Sequence, residues 1–136
     1  MVDLAELITT VLRSGASDLH ITAGTPPLMR LHGTLQPLKG SVLTPVDTRE
    51  LIYGILTQDQ RQRLETDLEI DFSYAVPGAA RVRVNAYFQR GSLAAALRVV
   101  PTIIKPLEEL GLPSSLHAWT TRHHGLVLVT GPTGSG

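Results

Sequence analysis

Between residues 80 and 99 apolar and polar side chains alternate, and the phase of the alternation inverts across a single glycine. The even positions from 80 to 88 are Ala80, Val82, Val84, Ala86 and Phe88, and the odd ones from 81 to 89 are Arg81, Arg83, Asn85, Tyr87 and Gln89. Beyond Gly91-Ser92 the apolar residues Leu93, Ala95, Leu97 and Val99 take odd positions, and Arg98 takes an even one. A strand sends successive side chains to opposite faces, so each run has one side for a core and one for water. Two such runs joined by a short glycine turn specify an antiparallel hairpin. A two-residue loop at Gly91-Ser92 predicts Arg90 opposite Leu93, Asn85 opposite Arg98 and Val84 opposite Val99. That register gathers Arg81, Arg83 and Arg98 on the polar face.

The flanking segments read as a mixed α/β domain built around this hairpin. Leu4, Leu7, Ile8, Val11 and Leu12 recur at helical spacing, with Asp3 and Glu6 as a capping pair and Gly15 as the stop. Residues 18–22 and 28–32 alternate like half-buried strands around the turn Gly24-Thr25-Pro26-Pro27, and Gly33 bends the chain into residues 35–38. Thr44-Pro45 with Asp47, and Thr57 with Gln60, open two helices, the first with the buried stripe Leu51, Ile52, Ile55 and Leu56, the second leading to Leu64 and Leu68. Ile70, Phe72, Tyr74 and Val76 alternate as one more strand. Pro101 closes this domain at residues 1–100, and residues 101–113, with Pro101, Pro106, Gly111 and Pro113, form a linker with one helical turn at 107–110. Ser114 or Ser115 caps a short helix through Trp119. The unbroken apolar run Leu126-Val127-Leu128-Val129 then predicts a strand buried on both faces, as in a parallel sheet.

Charge is balanced overall but segregated along the chain. Lys+Arg and Asp+Glu both number 12. Residues 47–71 hold seven acids and three bases, and residues 72–107 hold five bases and no acid. Such a division suits either two solvated faces or a surface for an anion or a neighbouring subunit. The absence of cysteine removes disulfides and thiolate zinc sites. No apolar run approaches the roughly 20 residues of a membrane span, and the N-terminus does not resemble a secretory signal, so the expected location is cytoplasmic. Aromatic residues are only 4 %, too few for a platform that stacks single-stranded nucleic acid.

Two features carry chemistry. Gly131-Pro132-Thr133-Gly134-Ser135-Gly136 follows the apolar run and places Gly131 and Gly136 at the spacing of a phosphate-binding loop. Glycines let backbone N–H groups turn inward around phosphates, and the lysine and hydroxyl that complete the motif would be the next two residues. The second feature is the arginine face. Like charges gathered on one face repel unless an anion or carboxylates stand among them, and the acidic residues 65–71 are one candidate source of carboxylates. His20 and His32 face one another on adjacent strands in this reading, but two histidines without a third ligand do not make a metal site.

The segments Gly15-Ala16-Ser17-Asp18-Leu19-His20-Ile21, Pro27-Leu28-Met29-Arg30, Arg81-Val82-Arg83-Val84-Asn85-Ala86-Tyr87, Leu107-Glu108-Glu109-Leu110-Gly111-Leu112 and the glycine-rich end occur in the order in which similar segments occur in the twitching-motility ATPases of the type IV pilus. Nearly the whole chain resembles that family, part of the secretion-ATPase superfamily. The resemblance implies a PAS-like N-terminal domain, a mainly antiparallel sheet with flanking helices, followed by residues 114–136 as the truncated start of a RecA-like domain. It implies a homo-hexamer that binds ATP and Mg²⁺ between the two domains, acts on a platform protein at the inner membrane and sits peripherally at the pilus base. Gly131, Thr133, Gly134, Ser135 and Gly136 match its phosphate loop, and Arg81, Arg83 and Arg98 match arginines that face nucleotide. The rest of the motor domain lies outside these 136 residues, so the chain by itself is expected to be inactive and to carry no cofactor. Alternatives are a pilus-assembly or type II secretion ATPase, an accessory retraction paralogue, or a stand-alone PAS-like sensor. The start of the first helix directly after Met1 favours retraction over assembly.

Overall fold

In the computed structural model, which describes residues 3–76, 80–100 and 105–131, Asp3 caps helix α1 (Leu4–Arg13) by accepting from the Ala5 amide. Gly15, at φ 69°, ends it in a left-handed turn: its amide bonds Leu12 O at 3.0 Å, and the Ala16 amide bonds Val11 O at 3.1 Å. Both orphan carbonyls are thereby satisfied. Leu4, Leu7, Ile8 and Val11 form the buried stripe. The chain divides into two units, Met1–Thr102 and Ile103–Gly136.

The first unit holds a six-stranded antiparallel sheet made of β1 (Asp18–Ile21), β2 (Leu28–Leu31), β3 (Thr34–Pro37), β4 (Glu69–Val76), β5 (Ala80–Gln89) and β6 (Ser92–Val100). Their order across the sheet is β3-β2-β1-β6-β5-β4. Each half is a meander of sequence neighbours, and the β1–β6 pairing joins the halves. On one face Phe72, Val84, Leu97, Leu19 and Met29 stand side by side across five strands. They join one core with α1, with α2 (Pro45–Tyr53) and with α3 (Gln58–Asp67).

Both helix starts expected at Thr44 and Thr57 are complete capping boxes, closed by Asp47 and Gln60. Ile52, Leu56 and Leu64 are buried, and Leu51 and Ile55 are half-buried. Leu68 is exposed and, at φ 62°, is the left-handed residue that ends α3. His32 departs from expectation. With φ 49° beside Gly33 at φ 82°, it lies in the two-residue turn between β2 and β3, while His20 pairs with Leu28. The two histidines therefore do not face one another.

The hairpin has the expected faces in a different register. Its turn is Arg90-Gly91, both with positive φ, between the paired Gln89 and Ser92. A tight turn of this mirror-image kind wants glycine at its second position, which moves the loop back by one residue. Every cross-strand partner moves by two, so Arg98 lies opposite Arg83 rather than Asn85, and Leu97 lies opposite Val84 rather than Val99. An even shift preserves which side chains share a face.

The second unit contains a turn at residues 107–110, with Gly111 at φ 70°, a 3₁₀ turn at Ser114–Leu116 and the short helix α4 (His117–Thr120). Pro113, not a serine, precedes the 3₁₀ turn, and no side chain caps it. The strand expected at residues 126–129 is not formed, and Leu126 and Val129 are 82 % and 95 % exposed. A strand needs a ladder partner for its N–H and C=O groups, and the described residues offer this segment none. No described helix is long and apolar enough to cross a membrane.

Candidate functional site

The sheet face opposite the core carries a polar row. Leu35, Arg30, Asp18, Arg98, Arg83 and Ser73 are consecutive cross-strand partners from β3 to β4. Arg81 lies on the same face, two residues from Arg83 along β5, flanked by Ala75 and Val100. The three arginines singled out from the sequence therefore share one face.

Asp18 organises the row. Its side chain is only 9 % exposed, and its two oxygens are divided between partners. Oδ1 accepts from Arg98 Nε at 2.9 Å. Oδ2 accepts from the Ser17 hydroxyl at 2.7 Å and lies 3.5 Å from Arg30 Nε. Burial works to raise the Asp18 pKa, but the Ser17 hydroxyl and the Arg98 guanidinium outweigh it and hold the carboxyl below its ordinary value. Next to it, burial pushes the His20 pKa down, opposed by Asp18 and reinforced by Arg30 and Arg98. His20 Nε2 is buried without a hydrogen-bond partner among the described residues. A neutral imidazole leaves the positive charge of this face to the arginines.

At the other end of the row, Arg83 Nη2 lies 3.5 Å from Asp71 Oδ2, and both side chains are exposed. Asn85 donates to Glu69 Oε1 at 2.8 Å. Part of the sequence charge division is thus met by neighbouring strands. Arg81 makes no ion pair among the described residues. Two arginines directly opposite one another on β5 and β6, each tethered by a carboxylate from the strand beyond, form a surface suited to an anion with several oxygens.

Sequence reasoning missed Asp18, the carboxylate with the shortest contact to these arginines. It placed the candidate carboxylates in residues 65–71, of which Asp71 does reach Arg83. Asp18 is 80 residues from Arg98, and only the β1–β6 pairing brings them together. Its polar place within an alternating strand was the available signal. Of the glycine-rich end, Gly131 belongs to the second unit and is exposed, whereas Thr133, Gly134, Ser135 and Gly136 lie outside the described residues. Among the described residues no three His, Cys, Asp or Glu side chains are grouped to hold a metal ion.

No family model matches the chain. The six-stranded antiparallel sheet with its helices matches the N-terminal domain of the ATPases PilT and DotB. The Legionella pneumophila ATPase DotB shares it at 28 % identity with a TM-score of 0.62, over 96 % of this chain and 37 % of that one. The nearer likeness is to the pilus retraction motor PilT, solved with bound ADP: 45 % identity and a TM-score of 0.84, over all of this chain and 40 % of that one. The type IV pilus retraction ATPase PilT of Pseudomonas aeruginosa is 42 % identical over 135 residues, which is 99 % of this chain and 39 % of the relative. The chain is thus related along its whole length to the type IV pilus retraction ATPases, and it spans about two fifths of the length of the relatives it matches.

Proposed function

We propose that this chain is the N-terminal part of an ATP-driven motor that retracts type IV pili. The observation that carries the reading is the register of Arg83 opposite Arg98 on the open sheet face, in a chain 42 % identical to a retraction ATPase. In this reading residues 1–100 are the PAS-like domain, 101–113 the linker and 114–136 the start of the RecA-like domain. Gly131, Thr133, Gly134, Ser135 and Gly136 supply backbone N–H groups to the phosphates of ATP. Arg81, Arg83 and Arg98 on the sheet face are suited to a nucleotide's phosphates, because their forked guanidinium groups match phosphate geometry. Mg²⁺, if bound with the nucleotide, would neutralise phosphate charge. The assembly is a homo-hexameric ring, cytoplasmic and peripheral to the inner membrane, working on the platform protein at the pilus base.

The test is ATP turnover by the whole gene product, beside a variant with the residue after Gly136 changed to alanine. Turnover that disappears in the variant supports the motor, and absence of turnover in both removes it. Arg83→Ala is expected to weaken nucleotide affinity or hydrolysis, and a variant unchanged in both removes Arg83 from the site. The 136-residue chain by itself is proposed to be inactive, and measurable turnover in a clean preparation refutes that.

A second reading, a PAS-like sensor, is favoured by one observation. A cleft of about 580 Å³ opens beside α1 and α2, lined by Leu4, Leu7, Val42, Leu51, Ile55 and Tyr74. That volume suits a small apolar ligand. Saturable Nile red binding, abolished by Leu51→Glu in a folded variant, supports the sensor, and the absence of saturable binding removes it.

A further inference from the structure

We infer that Asp18 is a positioning residue for Arg98, gripping the guanidinium by its Nε edge so that the terminal nitrogens are presented to a phosphate. The inference rests on the reading of the arginine face given above and adds a residue to it.

The geometry is that of a one-handed grip. A guanidinium has five N–H donors in a planar fork, and a free carboxylate commonly takes two of them side by side. Here Asp18 Oδ2 is engaged by Ser17 Oγ at 2.7 Å and approached by Arg30 Nε at 3.5 Å. Arg98 is met by Oδ1, which takes Nε at 2.9 Å. The four N–H groups on Nη1 and Nη2 have no partner among the described residues, and the Arg98 side chain is 72 % exposed while its anchor is buried. Asp18 is itself fixed by pairing on both sides, to Arg30 on β2 and to Arg98 on β6.

Stability does not account for this arrangement. Solvent discounts an ion pair with one partner largely in water, and two arginines directly opposite one another are unfavourable. Asp18 on β1 and Asp71 on β4 flank the arginine pair from either side, with Arg98 on β6 and Arg83 on β5 between them. No strand lies between the two arginines, so an anion can engage both. Fixing a long side chain before the ligand arrives spares the entropy of ordering it afterwards.

The direction of one effect decides the matter. Removing the Asp18 charge relieves repulsion toward an anion, so electrostatics alone predict tighter anion binding by Asp18→Asn. Positioning predicts weaker binding. The experiment titrates the 136-residue chain with inorganic tripolyphosphate and follows arginine side-chain N–H signals by NMR, with circular dichroism showing that each variant is folded. In the wild type the Arg98 Nη signals shift while its Nε signal holds still. Asp18→Asn weakens binding by about three- to tenfold, the range set by the cost of ordering one long side chain, and sets the Nε signal moving. Asp18→Glu recovers part of the affinity. Arg98→Lys, which keeps the charge without an edge to grip, loses affinity and tests the inference even if Asp18→Asn does not fold. Equal or tighter binding by Asp18→Asn, or full affinity in Arg98→Lys, overturns the positioning role and leaves the phosphate reading standing. A wild type whose Arg98 signals ignore tripolyphosphate overturns both.

Discussion

Cutting the Asp18–Arg98 pair from its two sides should cost unequal amounts. Arg98→Met strips a charge-assisted hydrogen bond of 2.9 Å from a carboxylate that is 9 % exposed, leaving it Ser17 and the more distant Arg30. Hydrogen bonds to charged groups contribute about 1.5–3 kcal/mol. Because Arg98 is largely in water, the expected loss is discounted to about 1–2 kcal/mol. Asp18→Asn keeps the shape and one accepting oxygen, and the released guanidinium is already solvated, so its cost stays below about 1 kcal/mol. For a domain of this size each kcal/mol moves the melting temperature by about 4–8 °C. The assay is thermal and urea unfolding followed by far-ultraviolet circular dichroism between pH 7 and pH 3. The folded pKa of Asp18 lies below its ordinary value of 3.8, so its contribution is fully present above that value and is lost as pH falls through the folded pKa. Without Arg98, the hydrogen bond and the charge that help to hold the Asp18 pKa down are gone, so it rises from its wild-type position. The gap between wild type and Arg98→Met is therefore full at pH 7 and closes on acidification through the carboxylate range. Equal costs for the two substitutions, or a gap unchanged down to pH 3, would refute the reasoning.

Three further outcomes follow from the fold. Ile52→Ala, at a fully buried position on α2, should lower the urea-unfolding free energy by about 2–5 kcal/mol. Thr44→Ala removes the capping box of α2 and should cost about 1 kcal/mol in the same measurement, with Thr44→Ser recovering most of it. Gly91→Ala places a side chain at φ 76° with no heavy atom within 4 Å, so its cost is backbone strain alone, about 1–2 kcal/mol, read as a lower melting temperature with an unchanged NMR pattern away from the turn.

Side-chain direction was legible in the sequence because it depends only on a period of two. Val82, Val84 and Leu97 face the core, and Arg81, Arg83 and Arg98 face away, whichever loop joins the strands. Register was not legible to the same degree. It turned on which position of a tight turn Gly91 occupies, and the adjacent choice moved Arg98 from Asn85 to Arg83. Capping at Thr44 and Thr57 could be read because a cap lies within three residues of its partner. Asp18 as the anchor of Arg98 could not, because nothing local ties residues on strands so far apart in sequence. Residues 126–129 show the remaining limit. A run such as Leu126-Val127-Leu128-Val129 states a preference for burial, but a strand is completed by neighbours supplied from elsewhere, and among the described residues the run lies exposed.

The β1–β6 pairing also sets a timetable. The strands β1, β2 and β3 on one side, and β4, β5 and β6 on the other, are joined to their neighbours by short or moderate connections and can zip locally. The seam between the halves joins residues 80 positions apart, so its loop-closure entropy must be met before any contact across it is gained. At ribosomal rates of about 5–20 residues per second, β1 waits roughly 4–16 s for β6 to be made. During that interval the future middle of the sheet is an open edge, with unpaired N–H and C=O groups available to any extended chain nearby. The nascent protein is most vulnerable at the strand that later carries Asp18, and the ion pair with Arg98 forms only once that seam has closed.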